Sequence, residues 1–278
     1  MIQNSFIHIP GIGKATEKKL WDQGISDWSL FEKAYEKGEK LPHARRVLSA
    51  IETSRAHLEK GDLAYFGSLF PASEAWRLYP GNENRTCYLD IETTGDGSFC
   101  DITTIALFDG RRVQTFVRGE NLDRFKEAIR AFDAVVTYNG KSFDVPVIQR
   151  EMHLAMGMAH IDLRYVLGHL GIKGGLKKCE KTLGLDRNEL EGLDGYAAVL
   201  MWRAYKIKKD PKYLETLLAY NVADTINLAP LLHEACRRHA LALPEALAPS
   251  LRPPDVCPNP HQADRQVIRE MRQIHSHF

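Results

Sequence analysis

Two carboxylates stand two positions apart at the end of a short apolar stretch of the chain. Residues 88–91 have the length and composition of a buried strand, and Gly95 lies just beyond it. Residues i and i+2 of a strand project from the same face, so Asp90 and Glu92 should lie side by side. Adjacent carboxylates resist joint ionisation unless a positive charge lies between them, and their oxygens suit Mg²⁺ or Mn²⁺. The spacing indicates a metal site, with two solvated acids at a strand end as the plainer alternative.

A third acid follows another predicted strand. Asn139-Gly140 marks a turn after residues 134–138, and Asp144 comes shortly after that turn. Pro146 is tolerated in the first turn of a helix, which indicates that a helix begins at Asp144. An Asp at a helix start has a structural explanation as an N-cap, so this residue alone does not indicate chemistry.

A phenol and a fourth acid lie four residues apart in a predicted helix. Residues at this spacing share a helix face, so Tyr220 and Asp224 should project together. Apolar neighbours indicate that both side chains are buried: Leu217, Leu218, Ala219, Val222, Ala223 and Ile226. Because a buried unpaired carboxylate is costly, Asp224 needs a partner. A cap on another element, or an arginine, is the structural alternative to a metal.

The stretches that must position these residues alternate between strand and helix patterns. Strands are predicted at residues 86–91, 102–108, 112–117 and 134–138, with a hairpin at Asp109-Gly110. Helices are predicted at residues 122–131, 145–152, 163–170, 176–183, 196–206 and 213–238. Three antiparallel strands followed by alternating helix and strand predict an α/β domain, in which a mixed sheet is flanked by helices.

The first 80 residues show no strand pattern and are predicted to form a small all-helical unit, with helices at 28–37 and 42–59 and a boundary at Pro80-Gly81. Gly11 and Gly13 can expose backbone N–H groups to a phosphate at a helix start, with Lys14 beside them. This turn resembles the hairpin of helix-hairpin-helix DNA-binding modules, although Glu17 stands where such hairpins commonly carry a small residue. The alternative is a structural turn with a solvated lysine face.

Composition sets limits on the class of protein. The 278 residues allow a main domain at 81–245 and a Pro-rich tail at 246–278 that ends in a short helix. Because the formal net charge is only +1, contacts with nucleic acid must come from local patches. One candidate patch, for which a solvated helix face is the alternative, comprises Lys173, Lys177, Lys178 and Lys181. The five cysteines form no Cys-x-x-Cys, and no run of about 18 apolar residues occurs, so we expect no zinc ribbon, no membrane and a cytoplasmic location.

Together, these positions resemble the three exonuclease motifs of the DEDD superfamily. Asp90-x-Glu92, Asn139-x-x-x-Phe143-Asp144 and Tyr220-x-x-x-Asp224 occur in the order of that superfamily. Its DEDDy branch, which includes polymerase proofreading domains and ribonuclease D, carries Tyr four residues before the last Asp. The DEDDh branch carries His five residues before it, where this chain has Ala219. The segments Ile-Pro-Gly-Ile-Gly, Leu-Asp-Ile-Glu-Thr-Thr-Gly and Tyr-Asn-Gly-Lys-Ser-Phe-Asp are most similar to the YprB-like bacterial exonucleases, over residues 5–235.

The resemblance implies a ribonuclease-H-like fold and a site for two divalent metal ions, Mg²⁺ or Mn²⁺. It implies that the metal ligands are Asp90, Glu92, Asp144 and Asp224, with Asp90 bridging the two ions. It also implies that Tyr220 orients the attacking water. Thr93, Asn139 and Phe143 are expected to hold the terminal nucleotide, and core packing is an equal alternative for Phe143.

These features predict a metal-dependent 3′-to-5′ exonuclease that hydrolyses phosphodiester bonds by a two-metal mechanism. Single-stranded DNA is the favoured substrate, because the N-terminal turn resembles DNA-binding hairpins. One alternative is an enzyme that trims RNA 3′ ends. Another is a non-catalytic nucleic-acid-binding subunit, although a binding module does not need four converging carboxylates. The sequence leaves any helicase or repair partner unidentified.

Overall fold

A five-stranded mixed sheet forms the centre of the protein. The computed structural model describes residues 1–95, 99–185 and 188–275. The strands are β1 (Thr86–Thr93), β2 (Ile102–Phe108), β3 (Val113–Val117), β4 (Ala134–Thr137) and β5 (Ala159–Asp162), in the order β3-β2-β1-β4-β5. Strands β1, β2 and β3 pair antiparallel, whereas β1, β4 and β5 are parallel. The predicted α/β fold with a mixed sheet flanked by helices is therefore confirmed.

Helices surround this sheet. They are α1 (Lys14–Asp22), α2 (Trp28–Glu36), α3 (Ala44–Glu59), α4 (Leu63–Leu69), α5 (Phe125–Ala128), α6 (Asp144–Met152), α7 (Leu163–His169), α8 (Leu176–Thr182), α9 (Gly195–Lys208), α10 (Pro211–Ile226), α11 (Leu228–Ala240) and α12 (Arg265–His275). The single helix predicted at 213–238 is wrong, because α10 ends at Ile226 and α11 begins at Leu228. Pro230 explains the break, since its ring clashes with the carbonyl of residue 226 and it lacks an N–H to continue the ladder.

The two faces of β1 have opposite environments. Cys87, Leu89 and Ile91 are buried in an apolar cluster that includes Val147 and Ile148 of α6. Each fully buried side chain of the leucine type contributes about 1.5–3 kcal/mol to folding. On the opposite face, Asp90 accepts a hydrogen bond from Asn221 of α10. The pleat therefore fixes the direction in which the carboxylates of β1 point.

The N-terminal helices share an apolar core with the sheet. Phe6, Trp28 and Phe66 belong to the same buried cluster as Ala159 and Ile161 of β5. At Gly67 of α4, a Cβ would come within 3.0 Å of the Ala159 Cα, so α4 packs directly on β5. Division of the chain at residues 80 and 245 remains a prediction.

The C-terminal segment is held on α9 and α10. Val267, Ile268 and Met271 of α12 are buried beside Trp202 and Tyr213. Between α11 and α12, the Asn259 amide nitrogen donates to the carbonyl oxygen of Ala219, 2.7 Å away. The segment therefore covers the outer side of α10. Within the described residues, no helix is both long and apolar enough to span a membrane.

Candidate metal and catalytic site

Three carboxylates converge where β1 ends beneath α10. One oxygen atom from each of Asp90, Glu92 and Asp224 lies within 4.8 Å of the other two. The strand pleat brings Asp90 and Glu92 to one face, and α10 brings Asp224 onto that face. Glu92 and Asp224 are buried, whereas Asp90 keeps part of its surface accessible. Three oxygen atoms at this separation could hold one divalent cation between them.

The fourth acid joins this group from the start of α6. Asp144 is buried, and its Oδ1 accepts the backbone N–H of Ile91 at 3.2 Å. Phe143 occupies the N-cap position of α6, so Asp144 is not the cap that its sequence position suggested. Its hydrogen bond fastens the start of α6 to the end of β1, one residue from both strand carboxylates.

Burial and neighbouring negative charges raise the pKa of two of these acids. Burial raises the pKa of Asp90 well above its usual value, and the negative charges of Asp224, Asp144 and Glu92 raise it further. Burial also raises the pKa of Asp144 to about 7. Such carboxylates retain protons unless a cation replaces them. A set of hard oxygen ligands that resists ionisation on its own fits Mg²⁺ or Mn²⁺.

Asn221 fixes the orientation of Asp90, a contact that the sequence did not predict. Its Nδ2 donates to the Asp90 Oδ2 at 2.7 Å, and its Oδ1 accepts from the Thr104 hydroxyl at 3.0 Å. Asn221 thus connects Asp90 of β1 to Thr104 of β2. The available signal was the presence of an amide between Tyr220 and Val222 in an apolar helix, since buried amides need partners.

Tyr220 is buried beside a lysine of α8. The Lys177 Nζ donates to the Tyr220 hydroxyl at 2.6 Å and lies 4.6 Å from the centroid of its ring. Lys177 is half-buried, so it does not belong to a solvated lysine face. The sequence indicated that Tyr220 and Asp224 share a side of α10, but gave no sign that a cation lies against the phenol.

The residues expected to hold the terminal nucleotide lie around the same strand ends. The buried Thr93 side chain donates to the carbonyl oxygen of Gly95. Asn139 follows β4 with φ +65°, and the Arg164 guanidinium donates to its Oδ1. Phe143 is half-buried and packs against the apolar cluster beneath the sheet.

A buried aspartate organises the loop between β4 and α6. The Asp162 Oδ1 accepts the N–H groups of Asn139 at 2.8 Å and Arg164 at 3.1 Å, and its Oδ2 accepts that of Lys141 at 3.0 Å. Asp162 is thus the N-cap residue of α7, and it also holds the loop. A Cβ at Gly140 would lie 2.3 Å from the Thr137 Oγ1, so the turn requires glycine there.

The residues of the predicted phosphate-binding turn lie at the start of α1. Gly11 has φ +93°, and Gly13 is the N-cap residue of α1. Lys14 forms an ion pair with Glu74, and its Nζ is 2.6 Å from the Nε2 of His169. Glu74 offsets the charge of Lys14, and both partners restrict the position of its side chain. Lys14 is therefore tied to the fold and is not a freely solvated cation.

Glu17 has a structural role in the same turn. It is buried, and its Oε1 accepts the N–H groups of Phe6 at 2.7 Å and Ile7 at 3.0 Å. The buried Arg77 guanidinium lies 2.9 Å from the same oxygen. A small residue would leave these donors without their acceptor, which explains the departure from the hairpin pattern.

The comparison with protein families agrees with this geometry. The family model described as RNase_H superfamily matches residues 87–236, which is more than half of the chain. A solved structure similar to the chain is the family B DNA polymerase from the hyperthermophilic archaeon Pyrobaculum calidifontis, at 20% identity and a TM-score of 0.42. That alignment covers 52% of this chain and 24% of the polymerase, so the chain spans about a quarter of its length. No curated protein matches the chain in sequence. Because the family match contains all four clustered acids, from Asp90 to Asp224, together with the mixed sheet that positions them, the chain belongs to the RNase H superfamily.

Proposed function

We propose that this protein is a metal-dependent 3′-to-5′ exonuclease of the DEDDy branch and that it resembles the YprB-like bacterial enzymes. Membership of the RNase H superfamily supports nuclease activity on nucleic acid. The observation that carries the finer proposal is the convergence of Asp90, Glu92 and Asp224, whose oxygen atoms lie within 4.8 Å of one another. Asp144 accepts the backbone N–H between the two carboxylates of β1, and Tyr220 lies one helical turn before Asp224 on α10. The chain thus has the set of residues that such an enzyme needs.

The four carboxylates would hold two divalent cations, Mg²⁺ or Mn²⁺. When bound, such ions increase the acidity of water and offset the negative charge that develops on a leaving oxygen. The raised pKa of Asp90 supports this assignment, because burial raises it most and the negative charges of Asp224, Asp144 and Glu92 raise it further, and a bound cation would offset both effects. Asn221 would keep the Asp90 oxygens in position as the charge around them changes.

Tyr220 would orient the water that attacks the phosphodiester. Helix periodicity places Tyr220 on the same side of α10 as Asp224, and Lys177 donates a hydrogen bond to its hydroxyl. Thr93, Asn139 and Phe143 would hold the terminal nucleotide, since they lie next to the carboxylates of β1 and α6. Binding at a chain end, rather than along a duplex, gives the enzyme its exonuclease character.

Single-stranded DNA is the proposed substrate, and the resemblance of the N-terminal turn to DNA-binding hairpins is its support. Residues 1–80 would form a nucleic-acid-binding module, in which Gly11, Gly13 and Lys14 contact a phosphate. Residues 81–245 would form the exonuclease domain, and residues 246–278 its C-terminal tail. Trimming of RNA 3′ ends is the main competing activity.

Strand polarity tests this proposal. DNA labelled at the 5′ end should yield a ladder of progressively shorter labelled products with Mn²⁺ or Mg²⁺, and the reaction should stop with a chelator. Two further substrates distinguish DNA hydrolysis from RNA trimming: the same DNA strand with a single ribonucleotide at its 3′ end, and an RNA strand of the same sequence. The 2′-hydroxyl of the terminal sugar is the group that such a comparison tests. Immediate release of a labelled mononucleotide from the 5′ end, or cleavage of circular single strands, would contradict the proposed direction and mode.

A matched pair of variants excludes contaminating nuclease. Asp224→Asn removes a proposed metal ligand without a change in shape, so it should abolish the ladder. Asp123→Asn makes the same chemical change at an exposed position of the chain and should leave the ladder intact.

A further inference from the structure

A groove lies beside α7, next to the loop that joins β4 to α6. It has a volume of about 780 Å³, and Tyr138, Asn139, Arg164, Tyr165, Lys173 and Leu176 line it. We call it the α7–α8 groove. Asn139, which is expected to hold the terminal nucleotide, is one of its lining residues. The groove therefore adjoins the position proposed for the terminal nucleotide.

The lining of the groove is basic. Arg164 and Lys173 line it, and the residues that line it in the described part of the chain include no carboxylate. The Lys141 ammonium lies close by, 6.0 Å from the centroid of the Tyr165 ring. In a chain whose formal net charge is only +1, this is a local concentration of positive charge. Such patches attract phosphates through counterion release.

An exposed aromatic ring accompanies these cations. Tyr165 is 41% exposed and is one of the few large aromatic side chains of the described residues that remain accessible. A solvent-facing ring offers a surface on which an unpaired base can stack. Bases within a duplex are already stacked on their neighbours and cannot use it. Cations beside an exposed ring therefore favour a single strand.

Hydrogen bonds to one buried aspartate position both sides of the groove. Asp162 holds both the Asn139 backbone and the Arg164 backbone at the ends of β4 and β5. The Arg164 guanidinium also donates to the Asn139 side chain. A strand bound in the groove would therefore arrive at the acids in a fixed register.

We propose that the α7–α8 groove binds the single-stranded segment that adjoins the terminal nucleotide, an inference that rests on the proposed nuclease function. Arg164 and Lys173 contact consecutive phosphates, and Tyr165 stacks on an unpaired base. The substrate class is thus a single-stranded 3′ end of several nucleotides. A blunt duplex end must fray before it can enter the groove.

Binding measured without hydrolysis tests this assignment. In an Asp90→Asn background, the affinity for a 5′-labelled single-stranded DNA oligonucleotide is measured by fluorescence anisotropy at several salt concentrations. Lys173→Ala should weaken binding and reduce the slope of log affinity against log salt by about 0.7, as expected for one lost phosphate contact with a single strand. Tyr165→Leu should weaken binding about fivefold or more, with the salt slope unchanged.

The controls distinguish a groove contact from a general loss of charge or of fold. Lys33→Ala removes an exposed lysine of α2, outside the groove, and should leave affinity and slope unchanged. Lys173→Arg should restore the slope, and thermal unfolding of each variant verifies its fold. A blunt duplex of the same sequence should bind more weakly than the single strand, and its affinity should respond little to Tyr165→Leu.

The outcomes separate this inference from the proposed function. If Lys173→Ala and Tyr165→Leu both bind like Lys33→Ala while the wild-type protein degrades DNA, the groove assignment is wrong and the nuclease function stands. If these variants lose affinity while the wild-type protein never hydrolyses a strand, the groove binds nucleic acid and the nuclease proposal fails. Equal loss of duplex and single-strand affinity in Tyr165→Leu would refute recognition of an unpaired base.

Discussion

Asp144→Asn should stabilise the metal-free protein at alkaline pH. Burial raises the pKa of Asp144 from its usual value of 3.8 to about 7. The folded state therefore binds this proton more tightly than the unfolded state does, and the carboxyl contributes no penalty below the unfolded pKa. As pH rises through the folded pKa, a penalty develops that reaches about 4 kcal/mol, from a difference of roughly 3 pKa units at 1.36 kcal/mol each. Asn cannot ionise, yet its side-chain oxygen can still accept the N–H of Ile91.

Urea unfolding in the presence of a chelator measures this difference. At about pH 4, the variant and the wild type should have similar free energies of unfolding. At about pH 8, the free energy of unfolding of the variant should be larger by up to about 4 kcal/mol. Added Mn²⁺ should stabilise the wild type more than the variant, because only the wild type offers the fourth carboxylate. Asp123→Asn, at an exposed position, should show no such pH dependence. Equal stability of Asp144→Asn and wild type at alkaline pH would refute the account of a buried, proton-retaining cluster.

Three further predictions follow from the site and the N-terminal turn. Tyr220→Phe should lower kcat by about 100-fold or more with a much smaller change in KM, and an unchanged kcat would reduce the phenol to a packing role. Asn221→Leu should weaken Mn²⁺ affinity, measured calorimetrically, by about 10-fold to 100-fold, because Asp90 loses the donor that orients it; wild-type affinity would contradict this. Lys18 and Lys19 are exposed lysines of α1 that follow the turn. Replacement of both by Ala should reduce the salt slope of DNA binding, and an unchanged slope would contradict phosphate contacts by α1.

The sequence was informative wherever one local rule decides the structure. The pleat of a strand places Asp90 and Glu92 on one face whatever surrounds them, and they lie together as that rule requires. Helix periodicity likewise places Tyr220 and Asp224 on one side of α10. The order of strands and helices was sufficient to predict the mixed sheet.

The sequence did not predict the features of the structure that depend on contacts between segments far apart in the chain. Strand β5 has only four residues, Ala159–Asp162, which is too short to display a pattern, and its pairing with β4 exists only in the folded chain. Lys177 resembled one of several solvated lysines, because nothing in its neighbourhood indicates that Tyr220 lies against it. The contact between Asn221 and Asp90 joins residues 131 positions apart.

One local feature of the sequence does indicate the end of α10. Pro230 interrupts the apolar pattern after Ile226, and a helix cannot continue unchanged through such a residue. The resulting break between α10 and α11 ends the helix that carries Tyr220 and Asp224 soon after Asp224. The prediction of one long helix at 213–238 was based on periodicity alone and did not include this steric effect.

The rate of single-strand hydrolysis as a function of Mn²⁺ concentration tests the central claim most directly, because that claim assigns catalysis to the acid cluster. Wild-type protein and the exposed-site control Asp123→Asn should degrade labelled single-stranded DNA with the same dependence on Mn²⁺, and a chelator should stop both. Asp90→Asn should remain folded, as judged by its unfolding transition, and show no turnover at any Mn²⁺ concentration. Turnover by purified Asp90→Asn at the wild-type rate would contradict the claim.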